Sequence, residues 1–262
     1  NEYIKNSNII IFYPEDLNLI KGSPGERRRY LNIELSQLYN DYIINLNDYN
    51  KLLKIRNDYL KKLKLNLSID NSYFNIITNY LIDRSEMIYN TRVKYFNKIN
   101  EICLSVYKEI SGYDNFKIVY KPNFFPKENY KEEMKNLFKD KYFDEVKSGT
   151  TIIGNHKDDF IYQIGEDNLK EFGSQGQQRI AILAHKLSEI QLFELEKEEM
   201  PILLLDDVFS ELDDKKKNLL LKYIDKNMQV IITTTDLNNI DKKTIESAKL
   251  FKIKNGNLIE EG

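Results

Sequence analysis

Two acidic side chains at the end of an apolar run are the residues of this chain best suited to chemistry. Pro201-Ile202-Leu203-Leu204-Leu205 has the composition of a central strand, and Asp206 and Asp207 follow where that strand would leave a sheet. The carboxyl ends of parallel strands are where α/β folds place ligands. The first carboxylate can there hold a magnesium ion, directly or through water, and the second can position or deprotonate an attacking water. Two Asp residues can equally do no more than open a loop. A second block lies upstream, where Gly173-Ser174-Gln175-Gly176-Gln177-Gln178-Arg179 opens a helical pattern. Ser174 is a good N-cap, Gly176 lets backbone approach a ligand closely, and the free N–H groups of a helix start attract an anion. An ordinary capped helix has the same features.

Alternating elements must position these blocks. From Ser174 the pattern reads helix to about Leu195, buried strand Pro201 to Leu205, helix Lys215 to Lys226 and strand Gln229 to Thr233, which predicts a parallel sheet covered by helices. Segments on either side of Asn255-Gly256 predict a closing hairpin. Near the start, Asn8 to Tyr13 is a strand stopped by Pro14, with no earlier element to pair with, so a fragment of a longer protein is expected. After Gly22-Ser23-Pro24-Gly25, apolar residues from Leu31 to Leu63 and again from Phe74 to Ile102 recur at steps of mostly three and four. Two helices of ~35 to 40 residues, each ~50 to 60 Å long, would make an antiparallel arm with these stripes as its seam. Beyond it, Phe116 to Tyr120, Thr150 to Ile153 and Phe160 to Ile164 read as strands, and Lys127 to Lys139 as a helix.

Composition narrows the class. The chain of 262 residues is 41% hydrophobic and 31% charged, as soluble globular proteins are. One Cys, Cys103, excludes an internal disulfide, and with two His it leaves too few soft ligands for a dedicated zinc site. No apolar run approaches the ~20 residues that span a bilayer, and the start has no secretory pattern, so a cytoplasmic address with no membrane partner is expected. The net charge of −2 hides an asymmetry. Lys21 to Lys64 holds ten Lys and Arg against five Asp and Glu, a balance of +5; Gln191 to Asp214 holds one Lys against nine acids, a balance of −8. Arg27, Arg28 and Arg29 in the basic stretch can face nucleic-acid phosphates, and solvated faces would give the same count.

In this order and at this separation, the two blocks resemble the signature motif, Walker B strand and D-loop of ATP-binding-cassette ATPases. Pro14-Glu15-Asp16-Leu17, Lys21 to Leu31, Gly154 to Asp159 and Ser174 to Arg179 further resemble, in order, the RecF family of bacterial DNA repair and replication proteins. The resemblance implies an α/β fold: a partial ATPase head with a parallel-sheet core and a helical hairpin arm. Residues 1–23 would end an N-terminal ATPase lobe, 24–147 would form the arm, and 148–262 a C-terminal ATPase lobe. It implies ATP and Mg2+ as cofactors, with Ser174, Gln175, Gly176 and Gln177 meeting nucleotide across a dimer, Asp206 on the metal and Asp207 catalytic. Ser210, Glu211, Leu212 and Asp213 would form the D-loop. Thr235 stands where many cassettes carry His, which removes a histidine switch.

One motif departs from the family: Gly154-Asn155-His156-Lys157-Asp158-Asp159 has Asn and Lys where the family usually has Pro and Arg. That stretch can be just a tight turn between strands. No Gly-x-x-x-x-Gly-Lys-Ser/Thr run occurs; Gly149 and Gly154 have its glycine spacing but are followed by Asn155-His156. The resemblance implies that the phosphate loop lies before residue 1 and that this chain alone does not hydrolyse ATP. It further implies an ATP-dependent dimeric clamp in recombinational repair and the SOS response, on single-stranded or gapped DNA, with RecO and RecR. Related chromosome-maintenance ATPases carry arms of hundreds of residues, and the short excursion from Pro24 to Ile110 argues against them. A non-catalytic DNA-binding or scaffold protein that keeps the architecture as a dimer interface is the other reading.

Overall fold

In the computed structural model, which describes residues 8–224, 228–237, 240 and 242–261, the apolar run after Asn8 forms strand β1 (Ile9–Phe12). Pro14 ends it and begins a 3-10 turn, Pro14–Leu17. Ser23 then caps α1 (Pro24–Leu38): its hydroxyl accepts from the Glu26 N–H, and the Glu26 carboxylate accepts from the Ser23 N–H. Next come α2 (Asn40–Lys64) and α3 (Asn71–Ser111). Asp70 caps α3 and Gly112, at φ 82, ends it in the left-handed conformation that favours glycine.

The arm is antiparallel, since Arg56 of α2 reaches Thr78 of α3 (3.2 Å) while Asp48 reaches Arg84 (3.4 Å). The first predicted helix is in fact two. Tyr39, at φ −128 and ψ 107, breaks it without disturbing the apolar spacing, which is why periodicity did not reveal the break. The bend lets Asn32 and Tyr42, on either side of it, converge on one arginine of α3, Arg92.

After α3 come β2 (Phe116–Lys121), α4 (Tyr130–Asp140), α5 (Tyr142–Ser148), β3 (Asp159–Ile164) and the short β4 (Asp167–Asn168). Strands β2, β3 and β4 form an antiparallel sheet whose Phe116, Ile118, Phe160 and Tyr162 are buried. The strand predicted at Thr150 to Ile153 is absent. Side chains take its backbone donors instead: Thr151 N–H donates to Asn57 Oδ1 (2.7 Å) and Ile152 N–H to Glu145 Oε1 (3.0 Å).

Further along come α6 (Gln175–Lys197), β5 (Ile202–Asp206), α7 (Asp214–Lys222), β6 (Val230–Thr233), α8 (Lys242–Ser247) and the hairpin β7 (Phe251–Lys254) and β8 (Asn257–Glu261). Strands β1, β5 and β6 form the predicted parallel sheet in that order, with Phe12 opposite Leu205 and Leu205 opposite Ile232. Ile10, Phe12, Leu203 and Leu205 are buried in the core with α6, which packs in turn on α3. The other face is open among the described residues: Ile11, paired with Leu204, is 42% exposed, and Ile231, also paired with Leu204, is 49% exposed. Parallel sheets are ordinarily covered on both faces.

Candidate nucleotide-binding face

Ser174 begins α6 as its N-cap. Its Oγ accepts from the Gln177 N–H (3.2 Å), and Gln177 Oε1 accepts from the Ser174 N–H (2.9 Å). Buried Gln178 anchors the loop behind, its Nε2 donating to the carbonyls of Leu169 (2.8 Å) and Gly173 (3.3 Å). The two glycines differ in their reasons. A Cβ on Gly173 would lie 2.6 Å from the Leu169 carbonyl, so local packing demands a glycine there. A Cβ on Gly176 would meet only Ser174 Oγ, at 4.0 Å, so nothing in this chain requires its absence. Ser174, Gln175, Gly176 and Gln177 are all exposed, on a rigidly held helix start.

Asp206 closes β5 at the carboxyl edge of the parallel sheet, and Asp207 turns the chain away from it in the left-handed conformation, φ 50 and ψ 22. Val208–Glu211 forms one helical turn; the side chains of Ser210 and Glu211 lie outside the described part. Leu212 lines a cavity of about 60 Å³ together with Val208, Arg179 of α6, and Tyr13 and Asp16 of the turn after β1. The start of α6 and the segment after the acidic pair thus flank one space. Asp213 caps α7, accepting from the Lys216 N–H (3.0 Å). Thr235 is exposed just past β6.

The arginine stretch divides. Arg27 is buried, with Nε 2.7 Å from Asp159 Oδ1 and Nη2 2.9 Å from Asp159 Oδ2, so it is committed internally and does not face phosphate. Arg28 donates to the Asp158 carbonyl (2.9 Å), and Arg29 is exposed. Charge counting had no means to see Asp159, distant in sequence. The Gly154 to Asp159 segment is more than a turn between strands: His156 Nδ1 lies 2.7 Å from the Tyr49 hydroxyl, and Arg92 donates to Asp158 Oδ2 at 2.6 Å. It joins α1, α2 and α3.

Beneath α6 lies a buried ionisable cluster that sequence reading missed. Glu34 of α1 and Glu189 of α6 are both buried. Facing them are Asp16 from the turn after β1, Tyr30 from α1, Tyr95 from α3, Tyr162 from β3, and His185 and Lys186 from α6. Lys186 Nζ is the cation among these, 3.6 Å from Asp16 Oδ1 and 3.7 Å from Glu189 Oε2. Burial, then the neighbouring Glu189 charge, holds the Glu34 carboxyl well above the usual carboxylate range; burial pushes Glu189 up to about 7. Burial also depresses His185 to about 3, so it stays neutral.

Raised carboxyl pKa values mean that the folded chain binds more protons than the unfolded one between the ordinary Glu value and about 7. The Glu189 contribution to stability is complete below about pH 4.5 and is lost as pH rises through about 7, and that of Glu34 falls in the same direction as pH rises. Glu34→Gln should therefore raise stability at pH 8 and flatten the decline between pH 5 and 8. Thermal melts across that range check this; a variant whose melting point falls as steeply as the parent's counts against it.

No family model matches the chain. It is 38% identical over 261 residues to the DNA replication and repair protein RecF of Listeria monocytogenes serotype 4b (strain CLIP80459), covering 98% of this chain and 70% of that one. To the RecF of Bacillus thuringiensis (strain Al Hakam) it is 39% identical over 262 residues, with the same coverage. A solved structure of the recombination mediator protein RecF-ATP in the RecFOR pathway superposes with a TM-score of 0.87 at 32% identity, over 100% of this chain and 69% of that one. A RecF-ATPrS structure gives the same score over 99% of this chain. The parallel sheet, the helical arm and the α/β order described above are accordingly those of a partial ATP-binding-cassette head, and the chain belongs to the RecF family.

Proposed function

We propose that this chain is the part of a RecF-type DNA replication and repair protein that supplies the signature and Walker B halves of an ATP site shared between two subunits. The observation that carries this reading is a pair of pre-formed features: an exposed, capped helix start with open space at Gly176, and two carboxylates at a parallel-sheet edge, Asp206 exposed and Asp207 half-buried. Backbone N–H groups at such a helix start suit a phosphate presented from outside. ATP is the nucleotide, as the solved RecF structures named with ATP and ATPrS support.

Among the described residues no group of three or more His, Cys, Asp or Glu is placed to hold a metal ion. A single carboxylate, Asp206, fits Mg2+, which commonly takes one or two carboxylates and leaves its other positions to water and nucleotide phosphates. When bound, the ion neutralises charge on the phosphates. Asp207 then orients the attacking water and accepts its proton. The open sheet face, with Ile11 and Ile231 exposed, supports a further segment carrying the phosphate loop and covering that face. The pairing of β1 with β5 supports one ATPase lobe built from the strands before and after the arm, with the arm inserted between them.

In the full-length protein, nucleotide binding closes an ATP-dependent homodimer around single-stranded or gapped DNA, hydrolysis opens it, and RecO and RecR act on the closed form in recombinational repair. Of the three consecutive arginines, Arg28 and Arg29 are left to face DNA phosphates. The expected result is that this chain alone shows no specific ATP turnover, while Asp207→Asn in the full-length protein keeps ATP binding, lowers turnover by at least about a hundredfold and prolongs the closed dimer. Saturable, magnesium-dependent hydrolysis by the chain alone would overturn the shared-site reading. No turnover by the full-length protein, with or without DNA, would instead favour a non-catalytic scaffold.

A further inference from the structure

The acidic pair is held from a neighbouring strand. Thr233, the last residue of β6, lies opposite Asp206, the last residue of β5. Its hydroxyl donates to Asp206 Oδ1. The Asp207 N–H points back at the same residue, 3.1 Å from the Thr233 carbonyl oxygen and 3.3 Å from its Oγ1. One side chain therefore touches both members of the pair, giving its proton to one and offering a lone pair to the other. Asp207 needs such support, because a non-glycine residue keeps a left-handed backbone only where its surroundings fix it. The next hydroxyl along is no substitute: Thr234 Oγ1 donates to the Asp236 carbonyl (3.0 Å) and accepts from the Asp236 N–H (3.2 Å).

We propose that Thr233 is a positioning residue for the site, orienting the Asp206 carboxylate so that its other oxygen faces Mg2+ and holding Asp207 turned toward the attacking water. This inference rests on the roles given above to Asp206 and Asp207. Its physical basis is that a hydrogen bond to a metal-binding carboxylate fixes its rotamer, and losing such a partner typically costs about 10–100-fold in metal affinity or activity. Valine matches the shape and strand preference of threonine but has no hydroxyl, whereas serine keeps the hydroxyl and loses only a methyl group.

The test uses the full-length protein with Thr233→Val, Thr233→Ser and Asp206→Asn. A fluorescent ATP analogue is titrated with MgCl2 to find the magnesium concentration giving half-maximal binding, and turnover is measured separately at saturating Mg2+. Thr233→Val should require about tenfold or more magnesium and turn over more slowly, with a thermal melt like the parent's, while Thr233→Ser stays near the parent in both readouts. If Asp206→Asn raises the magnesium requirement but Thr233→Val does not, the inference is wrong and the metal reading stands. If Asp206→Asn leaves the requirement unchanged, the metal reading itself falls. Should Thr233→Val fail to fold, Thr233→Ser decides together with Thr233→Ala: equal behaviour of the two in magnesium dependence rules the hydroxyl out.

Discussion

Arg92→Met should destabilise this chain by about 3–5 kcal/mol, a large part of the stability of an ordinary domain. Arg92 is 1% exposed, and all three nitrogens of its guanidinium donate hydrogen bonds. Nη1 donates to Asp158 Oδ2 (2.6 Å) and to the Asn155 carbonyl (2.9 Å), Nη2 to Asn32 Oδ1 (3.0 Å) and Nε to the Tyr42 hydroxyl (3.1 Å). Asp158 also accepts from the Tyr120 hydroxyl (2.5 Å) and from the Asn123 N–H (2.8 Å). Removing the cation leaves a buried carboxylate with polar partners but no counter-charge, and that accounts for the size of the effect. Arg92→Lys should recover little, since an ammonium group cannot reproduce four directed donations from one planar fork. The double variant Arg92→Met, Asp158→Leu should be less destabilised than the sum of its single changes, because no charge is then left buried. Urea unfolding of the four proteins measures this coupling. A cost below about 1 kcal/mol for Arg92→Met, or simple additivity, would mean that the pair is solvated in a way its burial does not suggest.

What could be read in advance was local. Ser174 announces a helix start from its own residue type, and the structure uses it as the cap, with Gln177 closing the box. The run Pro201 to Leu205 announces a central strand by composition, and the structure places that strand, at Ile202–Asp206, between β1 and β6. What could not be read depends on partners far along the chain. Arg27 looked like a phosphate contact because Asp159 is 132 residues away. Gly154 looked like an ordinary turn residue, yet at φ 130 it passes so close to Tyr49 that a Cβ would lie 2.5 Å from the Tyr49 hydroxyl. The cluster of Glu34, Lys186 and Glu189 was hidden for a related reason. Charged residues on a helical pattern read as a solvated face until a third element, here the turn carrying Asp16, covers them.

Ser174→Arg in the full-length protein should abolish ATP-dependent dimerisation while leaving ATP binding by each subunit intact. Ser174 is exposed with its oxygen accepting from the Gln177 N–H, and Gln175 and Gly176, which open α6, are exposed beside it, where their backbone N–H groups have no preceding helical turn to bond. In a shared site these groups meet the nucleotide held by the other subunit, and an arginine side chain would fill the gap that the nucleotide must bridge. Loss of the cap is a smaller matter. An N-cap is worth about 1 kcal/mol, and α6 is held by buried Gln178 and by Ala181, Leu187 and Phe193 in the core, so the domain should stay folded. Ser174→Ala separates the two effects: it removes the cap without adding bulk, and it should weaken dimerisation far less than arginine does. Light scattering with a non-hydrolysable ATP analogue, beside a nucleotide-binding assay on the monomer, reads both quantities. If the arginine variant still dimerises, or if the monomer itself loses ATP, Ser174 acts within its own subunit and the helix start is only a cap.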